Sequence, residues 1–143
     1  FNLLSKNGTN IENITLITVH TKPAQAVNET ASLHNVVETY KTNSTESDII
    51  LLGDFNADCG YASTYDLNQL DIRSPEYLWV VPDSADTTYS ENTHCAYDRI
   101  VLTSNVDGRF FGKWGVDRNM SSSEISDHYP VWFDLDIRED VPE

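Results

Sequence analysis

The segment Asp48-Ile49-Ile50-Leu51-Leu52-Gly53 constrains this chain more than any other. Four aliphatic residues in a row, bounded by a carboxylate and a glycine, read as a short strand buried on both faces, because a half-exposed strand would alternate. Upstream of it, Pro23 to about Tyr40 has helical spacing. Ala26, Val27, Ala31, Leu33, Val36, Val37 and Tyr40 form an apolar stripe, and Pro23 suits a first turn. Phe1–Leu4 and Ile14–His20 are expected as strands joined through a Lys6-Asn7-Gly8 turn. Thr64–Ile72 suggests a short helix, Leu78–Val81 and Arg99–Thr103 suggest strands, and Phe110–Trp114 is left open. Val131, Phe133, Leu135 and Ile137 alternate with polar or exposed positions as a final strand would, and Arg138–Glu143 reads as a charged, frayed tail. With no repeat, linker or composition break, residues 1–143 are expected to form one α/β unit.

Charge narrows the function classes. Against 9 Lys plus Arg stand 23 Asp plus Glu, a formal net charge of −14. Tight binding to a phosphate backbone through cationic side chains is therefore disfavoured. The same charge weighs less against an enzyme whose carboxylates hold divalent metals, since bound ions restore positive charge locally. Most of the acidic residues are expected only to keep the chain soluble. No apolar run approaches the roughly 20 residues of a membrane span. The chain does not begin with Met and shows no leader-like segment, and is expected to be mature, processed or truncated.

Cys59 and Cys95 are too few for a disulfide scaffold and too far apart for a zinc pair, which leaves two buried thiols or one bridge. Asn7, Asn13, Asn28, Asn43 and Asn119 each open an Asn-X-Ser/Thr sequon. Five is a modest excess, and it points towards secretion and a bridge.

Three segments place polar residues at strand ends. Gly53-Asp54-Phe55-Asn56-Ala57 follows the aliphatic strand, and the oxygens of Asp54 and Asn56, two apart, suit a hard divalent ion. Ser126-Asp127-His128-Tyr129-Pro130 precedes the last strand, and Cys95-Ala96-Tyr97-Asp98-Arg99-Ile100-Val101 enters another. His20 ends the strand from Ile14. Alone, Gly-Asp-Phe-Asn is a common loop, Asp-His is weaker still, and a histidine after a strand is more often a hydrogen-bonded cap than a catalyst. Their joint occurrence in this order is much harder to assign to chance.

Taken together, Gly53-Asp54-Phe55-Asn56 and Ser126-Asp127-His128 resemble the endonuclease/exonuclease/phosphatase superfamily. Pro82-Asp83-Ser84-Ala85-Asp86-Thr87-Thr88 and Thr93-His94-Cys95-Ala96-Tyr97-Asp98-Arg99-Ile100-Val101 narrow the resemblance to its deoxyribonuclease I family, over about Phe1 to Leu135. The resemblance implies half of a two-sheet β-sandwich flanked by helices. It also implies a secreted endonuclease that hydrolyses phosphodiester bonds in DNA with Mg²⁺, and with Ca²⁺ bound at a separate loop. By position, His20 and His128 match the family's catalytic histidines, and Asp98 matches the carboxylate that orients His128. Asp54, Asn56 and Asp127 match metal- and phosphate-binding residues. Tyr97 and Thr93 match phosphate contacts, and Tyr61 matches a minor-groove tyrosine. Cys59 and Cys95 match a structural disulfide. Asp86, Thr88 and Thr93 fall in the calcium loop, where Tyr89-Ser90-Glu91-Asn92 makes the chain one residue longer than the family pattern.

Family members run to roughly twice this length. The matching positions begin mid-chain, so a further metal-binding glutamate and the carboxylate partner of His20 would come from an N-terminal half, on a longer or a separate chain. A single half is expected to leave an apolar sheet face uncovered. The competing readings are a sphingomyelinase or phosphatase of the same superfamily, which has no need of the Cys95-Ala96-Tyr97 context, and a non-catalytic structural or assembly module built on a nuclease half-fold.

Overall fold

The computed structural model describes residues 2–4, 10–119 and 124–135. The Lys6-Asn7-Gly8 turn, the Asn7 sequon, Ile137 and the tail from Arg138 lie outside them. Among the described residues, eight strands and three α-helices follow one another as β1 (Asn2–Leu4), β2 (Asn10–Asn13), β3 (Thr15–His20), α1 (Ala26–Asn43), β4 (Ile49–Asp54), α2 (Thr64–Leu67), β5 (Tyr77–Trp79), β6 (Asp98–Thr103), α3 (Ser104–Asp107), β7 (Phe110–Val116) and β8 (Val131–Leu135). Short 3₁₀ turns at Pro23–Gln25 and Asp71–Arg73 complete the list.

The centre is a four-stranded sheet in the order β3-β4-β6-β5. β3 and β4 are parallel, with α1 as the crossover between them, and the other pairings are antiparallel. The aliphatic run sits in the middle of this sheet. Ile49, Ile50 and Leu51 are each at most 2% exposed, which settles the strand as buried on both faces. Ile49 and Leu51 face α1, together with Ile17, Val19, Val37, Val101 and Tyr77. Ile50 belongs to a second cluster with Ile100, Leu102 and Val80, against which Phe110, Trp114, Val131, Phe133 and Leu135 pack.

Three expectations change. The first strand pairs antiparallel with β2, an additional strand at Asn10–Asn13, and not with the strand that ends at His20. The segment around Phe110–Trp114 is a strand, extended to Val116 and paired with β8. This hairpin covers part of the sheet face that a half-sandwich was expected to leave bare, although Leu16 and Trp132 stay 41% and 46% exposed. On α1 the buried positions are Ala26, Thr30 and Val37, with Val36 turned outward. Thr30 replaces an aliphatic residue in the buried stripe, which hydropathy alone misses.

Candidate active site

Strand register builds the floor of the site. His20 pairs with Asp54 across β3 and β4, and Asp54 pairs with Asp98 across β4 and β6, so the three stand in one row at one end of the sheet. Side chains opposite one another in a sheet share a face. His20 Nε2 lies 3.8 Å from Asp54 Oδ2, and its side chain is 80% exposed.

Two backbone positions fix Asp54. Gly53 has φ +136°, and a Cβ there would sit 2.0 Å from the Val19 carbonyl oxygen, so only glycine lets β4 approach β3 so closely. Asn56 then takes a left-handed φ of 46°, which asparagine tolerates well. Its N–H donates to Asp54 Oδ1 at 2.8 Å, and its Nδ2 donates to Asp54 Oδ2 and to the Thr21 carbonyl, each at 3.0 Å. Burial raises the Asp54 pKa, opposed by the Asn56 N–H and reinforced by the negative charge of Asp98.

The wall beside this floor comes from loops. Thr88 bridges to His128, Tyr89 N–H donates to the Asp127 carbonyl at 2.7 Å, and Tyr129 N–H donates to the Thr87 carbonyl at 2.8 Å. His128 is delivered over Asp98, with Nδ1 2.8 Å from Oδ2. That contact, working against burial, raises the His128 pKa. Asp54, Asp98 and His128 offer ligand atoms within 4.8 Å of one another, the one such group of acidic or metal-ligating side chains among the described residues. Asp127 is exposed and stands outside that group, acting on His128 through its charge. The aromatic rings extend the wall: Tyr97 stacks on His128 with centroids 5.9 Å apart, and Tyr61 stacks on Tyr97 at 5.6 Å.

Several supports were not visible in sequence. The Thr87 hydroxyl accepts the N–H groups of Tyr97 and Asp98, so one side chain steadies the approach to β6. Cys59 and Cys95 form the disulfide that the resemblance implied, which ties the loop after Asn56 to the loop before Tyr97. Beside it, Ala96 N–H donates to Asp58 Oδ2 at 2.6 Å. Arg99 is fully buried and donates to the carbonyls of Val81 and Ala57, with Asp83 2.9 Å away as counter-charge. A sequence places Arg99 on a strand but gives no sign that its guanidinium braces two loops beneath the site.

The residues fit a hard divalent cation at Asp54. Two carboxylates converge there, Asp98 Oδ2 is buried with His128 as its near neighbour, and the raised Asp54 pKa marks an anion that a cation would relieve. The expected calcium loop does not fit an ion in the same way. Asp86 Oδ1 accepts from Thr88 N–H and Oγ1, and Asp86 Oδ2 lies 3.0 Å from Arg118 Nη2 and 3.1 Å from His94 Nδ1. The Thr93 carbonyl accepts from the Thr88 hydroxyl. Burial would raise the Asp86 pKa, but its bonds to His94, Thr88 and Arg118 outweigh that and bring it down to about 2.

The fold and this row of carboxylates and histidines define a mixed α/β protein with an endonuclease-type architecture. The endonuclease domain of TRAS1, a telomere-specific non-LTR retrotransposon, superposes with a TM-score of 0.59 at 17% identity, covering 85% of this chain and 57% of that one. At that identity the likeness concerns the fold. In sequence, the chain is 37% identical to bovine (Bos taurus) deoxyribonuclease-1 over 139 residues, covering 89% of this chain and 49% of that protein. It is 39% identical to human deoxyribonuclease-1-like 2 over 132 residues, covering 84% and 44%. The chain is thus similar to proteins of the deoxyribonuclease I family over most of its own length, and it spans about half the length of the curated relatives it matches. No protein-family model matches it.

Proposed function

We propose that residues 1–143 supply the C-terminal half of a secreted, metal-dependent endonuclease that hydrolyses phosphodiester bonds in DNA. The convergence of Asp54, Asp98 and His128, with His20 in the same row, carries this reading. Such hydrolysis needs a water activated for in-line attack, charge neutralisation on the phosphoryl oxygens and a proton for the leaving 3′-oxygen. His128 is suited to hold or give up a proton at Nε2, because Asp98 engages Nδ1 and favours the charged ring. His20, exposed to solvent beside Asp54, is the second acid or base.

Asp54, Asn56 and Asp127 are the residues we assign to Mg²⁺ and the scissile phosphate. When bound, that ion would supply Lewis-acid neutralisation of the phosphoryl charge. Asn56 orients Asp54 for this through two donated bonds. Tyr97, Thr93 and Tyr61 are assigned to the phosphate and the groove. The stacked Tyr61–Tyr97–His128 faces give nucleic acid an aromatic surface where cationic side chains are few. Secretion is supported by the disulfide and by the exposed sequon asparagines Asn28, Asn43 and Asn119.

The partner is the N-terminal half of the same fold, on a longer or separate polypeptide, supplying the remaining metal ligand and a carboxylate for His20. Plasmid nicking with Mg²⁺ tests this: the chain alone should be inactive and the two-half enzyme active. An inert two-half enzyme, with every residue intact, would leave the structural-module reading in its place.

A further inference from the structure

The loop at Asp86 sits where the family resemblance implies calcium, yet its oxygens are already engaged from within the chain. We propose that Arg118 holds this loop in the place of a divalent ion and thereby acts as a positioning residue for His128. Calcium takes 6–8 oxygen ligands, whereas a guanidinium offers five N–H donors and no acceptor. The two cannot share Asp86 Oδ2. Arg118 Nη2 donates to that oxygen and to the Asp86 carbonyl, both at 3.0 Å, across 32 residues of sequence. Its Cζ also lies 4.7 Å from the centroid of the Tyr129 ring, within the range of a cation–π contact. His94 Nδ1 meets Asp86 Oδ2 at 3.1 Å from the other end of the loop.

The consequence reaches the site through three residues on each side. Asp86 precedes Thr87, Thr88 and Tyr89, which pair with Asp127, His128 and Tyr129. Arg118 grips both strands at one end of that pairing, Asp86 by charge and Tyr129 by its ring. A loop fixed by a covalently tethered cation keeps its shape whether or not calcium is present.

Amide hydrogen exchange at Tyr89 and Tyr129 reads the clamp directly, with calcium chloride or a calcium chelator as the only additions, and involves no DNA. Failure here is therefore separable from failure of the nuclease reading. In the wild-type chain, protection should be equal in millimolar calcium and in chelator. In Arg118→Gln both amides should exchange roughly fivefold faster, the scale of losing one partly exposed charge contact, while amides of β4 and β6 stay unchanged. Arg118→Lys keeps the charge but loses the fork, and should fall between the two. Calcium-dependent protection in the wild type would overturn the proposal, and so would wild-type protection in Arg118→Gln. If Arg118→Gln unfolds, Arg118→Lys decides: protection equal to wild type overturns the proposal, and partial loss supports it.

Discussion

The two walls of the site are held by different means. His20, Asp54 and Asp98 ride on three adjacent strands whose pairing is backed by the central core, and a glycine and an asparagine next to Asp54 set its direction. His128, Asp127, Tyr97 and Tyr61 ride on loops that reach their places through a disulfide, a few cross-loop hydrogen bonds and one arginine. The first wall is a by-product of forming the sheet. The second can in principle move while the sheet stays folded, because regions with few buried apolar contacts open locally at lower free energy than the core.

The strongest way to break that comparison is chemical. In the two-half enzyme, His20→Ala and His128→Ala should each lower turnover by about 10²–10⁴-fold, the worth of a positioned acid or base. The double variant should lose less than the product, since residues acting as a unit are non-additive. Full activity with both replaced would refute the mechanism. For the loop wall, Cys59→Ser with Cys95→Ser should cost about 3–4 kcal/mol of unfolding free energy for a bridge separated by 36 residues. Denaturant titration would measure it, and a loss near zero would show that the loops hold each other without the bridge.

On the strand wall, Gly53→Ala must resolve a clash with the β3 backbone at an unfavourable φ. A destabilisation of about 3 kcal/mol is expected, read by the same titration, together with loss of the His20–Asp54 approach. The smallest effect concerns acid. The Asp83 carboxyl is held below the ordinary aspartate range by its hydrogen bond to Arg73 and the charge of Arg99, which overcome the opposing effect of burial. A depressed carboxylate contributes stability that is present above its unfolded pKa and lost as pH falls through its folded one. Asp83→Asn should therefore lower stability by about 2 kcal/mol at neutral pH, and the gap to wild type should narrow below the ordinary aspartate pKa. A pH-independent gap would mean that Asp83 acts through shape and not through charge.

The same division explains what the sequence disclosed. The aliphatic run, the amphipathic segment after Pro23 and the placement of Asp54, Asn56 and Asp98 at strand ends were legible, because each depends on residues within a few positions of one another. The β2 strand was not, since Asn10–Asn13 carries no aliphatic alternation to announce it. Nor was the buried Thr30, or Arg99 with its two carbonyl partners, or Arg118 meeting Asp86. Those depend on contacts between segments far apart in the chain, and spacing along a sequence carries no record of them. Tyr61, Tyr97 and His128 were each singled out by resemblance, but their stacking as a continuous series belongs to the folded loops.

One property of the sheet has a bearing on how the site can be lost. Residues of a strand point alternately to opposite faces, so β3 cannot slide past β4 by a small amount. A displacement of one residue would replace His20 by Val19 beside Asp54 and turn the imidazole towards the α1 side. The pairing of His20 with Asp54 is therefore not continuously adjustable by mutation or temperature. It is either native or lost altogether, and with it goes the contact of Ile17 and Val19 with the core under α1.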